Sequence, residues 1–271
     1  MTRRGFQHGG EDGDLFRGTA KYYARFRHPY PEEVISYLVR ECGLEEGCGR
    51  LLDVGCGTGH VFQALAPYFA EVIAFDPDAD MLGQAGRAIE EHGLGHVALH
   101  RIKAEEIHVG LGYFRMVAFG ASFHWTERER VTELVYDRLE PGGHLVVMAA
   151  GSPYSGDAPW EVAMREVIEA WLGPQRRAGG GNFERGDLHG NVIARTRFGL
   201  PRTVDLFVDD AWTVDEMIGL LYSTSYASKA VLQDRAEGFE AQMRERLTEV
   251  ADGGLLKKRV GYGVVLAQKV A

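Results

Sequence analysis

An apolar run ending in an acid, Leu51-Leu52-Asp53-Val54, leads straight into Gly55-Cys56-Gly57-Thr58-Gly59. Glycines at alternate positions let a backbone turn sharply and approach a ligand without Cβ clashes. Placed before a helix, such a loop presents backbone N–H groups that suit an anionic or carboxylate group. A tight strand-to-helix turn would use the same glycines, so the spacing has to discriminate. The dinucleotide fingerprint G-x-G-x-x-G needs glycine at position 60, where this chain has His60. A second apolar run, Val72-Ile73-Ala74-Phe75, ends at Asp76 before Pro77. An acid at that place can accept bonds from both hydroxyls of a ribose, each contributing roughly 1.5–3 kcal/mol. The plain alternative for Asp76 is a helix cap; with the glycine loop upstream, the ribose role is the stronger expectation.

His124 is the candidate general base. It follows the fourth apolar run, at the carboxyl edge where open α/β sheets bind ligands. An imidazole with an ordinary pKa near 6.5 suits proton acceptance, while packing beside Trp125 is the alternative. Trp125 suits a pocket wall better than a catalyst. No metal site is expected: His92 and His96 have i, i+4 spacing, but Gly93 and Gly95 argue against one helix presenting both. Gly120-Ala121-Ser122 follows the fourth run where a magnesium-dependent catechol site would need acids. The same place lacks the Asn/Asp-Pro-Pro-Tyr element of amino-methylating nucleic-acid enzymes. The formal net charge of −9 also argues against a phosphate-neutralising surface.

The elements that must position these residues follow from the hydrophobic pattern. Candidate strands are Arg50–Val54, Glu71–Phe75, Val97–Ile102, Met116–Phe119 and His144–Ala149, then Thr203–Val208 and Val260–Lys269. Helical stretches alternate with them at Val61–Tyr68, Asp80–His92, Glu105–Gly110 and Glu127–Leu139. This alternation means a parallel sheet covered on both faces. Pro141-Gly142-Gly143 is expected to form the turn into the fifth strand. Pro31 with Glu32 and Glu33 opens an early helix that Gly43 can stop. Later helices are expected at Pro159–Leu172, Thr213–Tyr222 and Ala230–Ala251, the second opened by a capping box at Thr213–Glu216. The expected organisation is a disordered leader at 1–14, a helical cap at 15–45, a core at 46–150, an inserted lid at 151–201 and the rest of the core at 202–271. Three cysteines without CxxC spacing and no apolar signal-like run in residues 1–14 make a soluble cytoplasmic protein, away from membranes, the expectation.

The loop at 55–59 with its preceding Leu-Leu-Asp-Val closely resembles motif I of class I S-adenosylmethionine-dependent methyltransferases. Tyr22-Tyr23-Ala24-Arg25-Phe26-Arg27-His28-Pro29-Tyr30-Pro31, Ala121-Ser122-Phe123-His124-Trp125, Leu139-Glu140-Pro141-Gly142-Gly143, Trp212-Thr213 and Ser223-Thr224-Ser225-Tyr226 are similar to segments of the type 11 enzymes related to trans-aconitate methyltransferase. The resemblance runs from about Phe16 to the C-terminus and is weakest over 151–201. It departs at Arg115 and Lys103, where relatives often carry acids.

What the resemblance implies is a Rossmann-like α/β fold: a seven-stranded sheet, mostly parallel with an antiparallel last strand, a helical N-terminal cap and an inserted helical lid. The cofactor is S-adenosylmethionine, with S-adenosylhomocysteine as product. Asp53, Gly55, Cys56, Gly57 and Gly59 would form its loop, and Asp76, Pro77 and Met81 its ribose side. Ala104 and Glu105 would hold the adenine edge, with Ala121 beside them. Tyr22 and Arg27 of the cap would meet the methionine end. Trp125, Tyr154 and Tyr226 would line the acceptor pocket.

Three functions follow from these residues. The first is methyl transfer to an O, N or C atom of a small-molecule acceptor, in which alignment supplies roughly 7–11 kcal/mol. The second is cofactor binding without transfer, as a regulator or partner subunit. The third is a nicotinamide oxidoreductase on a similar sheet. The expected partner is a small molecule rather than nucleic acid, and a homodimer is left open.

Overall fold

Short apolar runs that are hydrophobic on both faces can only be interior strands, and the computed structural model arranges them so. It describes residues 16–175, 177–178, 181–182 and 187–270, so the leader expected at 1–14 lies outside the described residues. Seven strands form one sheet: β1 (Arg50–Val54), β2 (Glu71–Phe75), β3 (Val97–His100), β4 (Phe114–Gly120), β5 (Leu139–Ala150), β6 (Arg202–Thr213) and β7 (Leu255–Gln268). Their order is β3-β2-β1-β4-β5-β7-β6. The first five are parallel, and β7 runs antiparallel to β5 with Leu145 opposite Ala267. The expected fold class is the one observed.

The order decides where a ligand can sit. From central β1 the chain winds outward through β2 and β3, then returns to β4 on the other side. Connections leaving β1 and β4 diverge, and a crevice opens at their carboxyl ends. Leu51, Leu52 and Val54 of β1 and Met116, Val117, Ala118 and Phe119 of β4 are fully buried, which anchors both loops on rigid strands. On one face Phe75, Phe114, Phe119, Phe123, Val131 and Val135 pack into a single core.

The helices are α1 (Ala20–Phe26), α2 (Glu32–Glu41), α3 (His60–Leu65), α4 (Ala79–His92), α5 (Arg128–Arg138), α6 (Pro159–Leu172), α7 (His189–Ile193), α8 (Val214–Tyr222), α9 (Lys229–Leu232) and α10 (Ala236–Val250). None among the described residues is long and apolar enough to cross a membrane. The chain divides into two units. The first takes residues 29–150, 186–206 and 261–271, and the described residues of 1–28, 151–185 and 207–260 make the second. Within the second unit, Gly219 lets α8 approach the Phe26 ring of α1, where a Cβ would come within 2.3 Å. Trp160, Met164, Met217, Leu221, Phe239 and Met243 fill that unit's interior. Its buried Glu161 pairs with Lys258, and Trp160 Nε1 donates to the Lys257 carbonyl at 3.0 Å.

Local differences from the sequence pattern have identifiable causes. Pro141-Gly142-Gly143 is a bulge inside β5, because Leu139 already pairs with Phe114 before the register shifts to His144 opposite Met116. The helical turn expected at Glu105–Gly110 is two short 3₁₀ turns, Ala104–Glu106 and Val109–Leu111. β7 begins five residues earlier than expected, since polar Lys257, Lys258 and Arg259 conceal its alternation. The long helix expected over Ala230–Ala251 breaks at Gln233, whose φ is +54°. Arg177–Ala178 pairs with Gly181–Asn182 as a small antiparallel ribbon.

Candidate functional site

The site begins where β1 ends. Gly55 and Cys56 donate their N–H groups to the Phe75 carbonyl at 2.8 and 3.0 Å, which ties the loop to the end of β2. Gly55, Gly57 and Gly59 all have positive φ, a region that side chains disfavour. Their surroundings differ. A Cβ at Gly55 would come within 2.6 Å of the Ser122 side chain and one at Gly59 within 2.2 Å of the Phe62 ring, whereas one at Gly57 would meet nothing within 4 Å. Two of these glycines serve close packing, and the middle one leaves the backbone open to a ligand.

Asp76 is the second feature. Its Oδ2 accepts the Gly57 N–H and its Oδ1 accepts the Asp78 N–H, both at 2.9 Å. It therefore braces the glycine loop and the turn into α4. A carboxylate has about four lone-pair sites, so each oxygen keeps capacity for a further donor such as a ribose hydroxyl. Burial raises its pKa, opposed by those two backbone bonds. The adjoining Pro77 is exposed, and Met81 is buried in the first turns of α4. Helix α4 itself is capped by Asp78, whose Oδ1 accepts from Asp80 and Met81.

Asp53 lies beneath the loop and is fully buried. Its Oδ2 takes the Phe62 N–H at 3.1 Å, while Oδ1 has no hydrogen-bond partner. Burial pushes its pKa up to about 8, opposed by the Phe62 bond and assisted by the nearby charge of Asp76. The Cys56 thiol is also buried and its pKa raised, chiefly by desolvation. A carboxyl whose folded pKa exceeds its unfolded value holds its proton more tightly when folded. Its contribution to stability is full below about pH 4 and declines as pH rises towards about 8. We therefore expect Asp53→Asn, uncharged throughout, to flatten the fall in Tm between pH 5 and 8. An unchanged slope in thermal melts across that range would assign the dependence to other groups.

At the end of β4, Ala121 has φ +56°, and its N–H donates to the Met148 carbonyl at 2.8 Å. A non-glycine residue held there marks a locally strained backbone. The strain turns the chain so that Ser122 Oγ can donate to the Val54 carbonyl, coupling the β4 loop to β1. Gly120 keeps the turn tight, since a Cβ there would come within 2.3 Å of Val61. The 3₁₀ turn Phe123–Trp125 follows, with Phe123 fully buried and His124 partly exposed, its ring centroid 4.8 Å from that of Trp125. Ala104 is buried in the 3₁₀ turn that follows β3, and Glu105 Oε1 accepts the Glu127 N–H at 2.8 Å just before α5.

The first unit thus gathers the glycine loop, Asp53, Asp76, Pro77, Met81, Ala104, Glu105, Ala121, His124 and Trp125 onto the connections of one sheet. The other four expected residues belong to the second unit. There, Arg27 Nε donates to Ser223 Oγ at 2.9 Å with its guanidinium over the Tyr23 ring, and Tyr22 lies against Tyr222 and Phe26. Tyr154 donates to Glu169 at 3.2 Å and meets Tyr226 edge to face.

Sequence spacing gave no sign of His189 and Arg128. Arg128 is nearly buried at the start of α5, and its Nη1 donates to the Asp187 carbonyl at 2.7 Å and reaches His189 Nδ1 at 3.4 Å. The His189 ring stands edge to face on Phe123 and 6.4 Å from His124. Only the apolar pair Val192-Ile193 hinted that α7 would dock on the core.

Residues 51–143 match the family model described as a methyltransferase domain. The chain is 33% identical over 123 residues to an uncharacterized methyltransferase of Mycobacterium bovis, covering 45% of this chain and 46% of that one. It is 28% identical over 132 residues to a Saccharomyces cerevisiae protein named as a probable S-adenosylmethionine-dependent methyltransferase, covering 45% and 42%. It thus spans about half the length of the curated relatives it matches. Among solved structures, a candidate type II methyltransferase from Anaeromyxobacter dehalogenans superposes with a TM-score of 0.61 at 20% identity, covering 90% of this chain and 97% of that one. Precorrin 8w decarboxylase of Methanobacterium thermoautotrophicum gives 0.52 at 16%, covering 89% and 92%. Both share the fold.

Proposed function

We propose that this chain, whose residues 51–143 match the methyltransferase-domain family, is a class I enzyme that moves the methyl group of S-adenosylmethionine to an O, N or C atom of a small-molecule acceptor. The observation that carries the proposal is the open backbone at Gly57, braced by the Asp76 carboxylate at the switch point of the sheet. The residues fit the cofactor: the glycine with no Cβ neighbour leaves room for its body, and Asp76 retains acceptor capacity for ribose hydroxyls.

The bound cofactor supplies a methyl group on a positively charged sulfur. The chain's own residues hold and align. Gly55, Gly57 and Gly59 shape the loop, and Asp53 fixes its passage into α3 through the Phe62 N–H. Ala121 and Ser122 set the direction of the β4 loop, which carries His124. Where the acceptor atom bears a proton, His124 takes it on a ring nitrogen. Orientation of this kind removes roughly 7–11 kcal/mol of barrier, and a positioned base adds about 10²–10⁴ in rate.

Incubation with cofactor labelled in its methyl group and a metabolite extract tests the transfer: labelled product is expected, and none at saturating cofactor overturns it. Calorimetry separates the cofactors. S-adenosylhomocysteine should bind and NAD should not, and NAD binding alone would instead identify an oxidoreductase. Once an acceptor is in hand, His124→Ala should lower turnover by about 10²-fold or more while S-adenosylhomocysteine affinity stays near that of the unmodified chain. Unchanged turnover would show His124 to be structural.

A further inference from the structure

His189 lies sixty-five positions from His124 in sequence, yet its position is unusually well secured. Val192 and Ile193 bury α7 against the core. Ion pairs then fasten the 187–197 segment along α5: Arg195 bridges Asp187 and Glu129 at 2.8 Å each, and Arg197 pairs with Glu133 and Asp137. Arg128 adds the bond to the Asp187 carbonyl.

The chemistry of that side chain is constrained too. A guanidinium can only donate, so the Arg128 contact at 3.4 Å makes His189 Nδ1 the acceptor and leaves the ring proton on Nε2. Burial and the Arg128 charge push the His189 pKa down to about 4, so the ring is neutral at ordinary pH. A neutral imidazole of fixed tautomer offers an N–H donor in a partly dry place. The His189 ring lies beside that of His124, with ring centroids 6.4 Å apart and planes 21° from parallel. A direct nitrogen–nitrogen hydrogen bond of about 3 Å would draw the centroids closer than this. One oxygen atom bonded to both rings spans the separation.

We propose that His189 is a second contact to the acceptor, donating Nε2–H to the same oxygen whose proton His124 takes, so that the acceptor is a hydroxyl compound with an aromatic or apolar body. The proposal rests on the methyltransferase reading of the site. The acceptor O–H gives its proton to a His124 nitrogen, and the electron pair left on oxygen is held by the His189 N–H. Trp125 supplies an apolar wall beside the His124 imidazole.

The test uses the full chain saturated with S-adenosylhomocysteine, imidazole nitrogen NMR, and phenol as probe with toluene as the oxygen-free control. His189 should show a protonated Nε2 and no titration from pH 5.5 to 8, and phenol but not toluene should shift both His189 and His124. His189→Phe should weaken phenol binding by tenfold or more without changing S-adenosylhomocysteine affinity, and His189→Gln, which keeps an N–H donor, should restore most of it. A protonated Nδ1, a His189 that titrates near pH 6.5, phenol and toluene acting alike or neither acting, or His189→Phe and His189→Gln behaving alike would each overturn the proposal. Loss of S-adenosylhomocysteine binding by the unmodified chain would instead overturn the methyltransferase reading.

Discussion

Asp76→Ala is expected to weaken S-adenosylhomocysteine binding a hundredfold or more. The carboxylate has two tasks that the substitution removes together. In the proposed function it offers acceptors to the ribose hydroxyls, each charge-assisted bond contributing roughly 1.5–3 kcal/mol, so two of them would amount to about 3 kcal/mol at least, or two decades in affinity. It also holds the Gly57 and Asp78 N–H groups at 2.9 Å, so its loss loosens the loop that must meet the cofactor. Asp76→Asn, which keeps one acceptor, should fall between. Calorimetry on the three proteins checks the order, and an affinity for Asp76→Ala within threefold of the unmodified chain would remove Asp76 from the cofactor site.

The paired substitutions Gly57→Ala and Gly59→Ala should separate ligand space from packing within one loop. Gly59 has φ +97°, and its added Cβ would meet the fully buried Phe62 ring at 2.2 Å. Left-handed backbone costs about 1–2 kcal/mol for an alanine, and overpacking typically adds about 1–3. At roughly 2–4 °C per kcal/mol for a chain approaching this size, Gly59→Ala should lower Tm by about 4–20 °C. Gly57 has φ +54° and no neighbour within 4 Å, so its alanine variant carries the conformational cost alone and loses only a few degrees. Its methyl group would enter the space assigned to the cofactor in the proposed function, and S-adenosylhomocysteine affinity should fall more than tenfold. Thermal melts and calorimetry together decide. Equal losses of Tm, or cofactor affinity retained by Gly57→Ala, would contradict the geometry.

Much of the site was legible because its signals are local. A glycine loop is written as consecutive residues, and β1 and β2 appear with the bounds read from their apolar runs. The acid ending β2 likewise needs only its strand to be recognised. Helix α6 is similarly direct, since proline opens it and a stripe of large apolar residues follows. The signals weaken where tertiary context overrides pattern. β7 extends through Lys257-Lys258-Arg259 because neighbours satisfy these residues, with Trp160 bonding the Lys257 carbonyl and Glu161 pairing Lys258. The bulge at Pro141-Gly142-Gly143 resembles a turn in composition and becomes part of a strand only through pairing on either side. The full burial of Asp53 and its bond to Phe62, which place its carboxyl beneath the loop, are likewise decided by packing.

The sequence by itself determined the alternating α/β architecture, the glycine loop and the acid that follows β2. Spacing along a strand or tight turn fixes which groups lie within a few ångströms, whatever the rest of the chain does. The tertiary structure alone decided that Gly57 is the open glycine, that Asp76 braces it, and that His189 stands beside His124. Those relations join residues far apart in sequence. They exist because the strand order returns β4 to the side of β1, and because buried apolar residues and ion pairs along α5 hold α7 there. No periodicity in a single chain encodes such a meeting. It follows from packing, which joins distant segments only when the whole core closes.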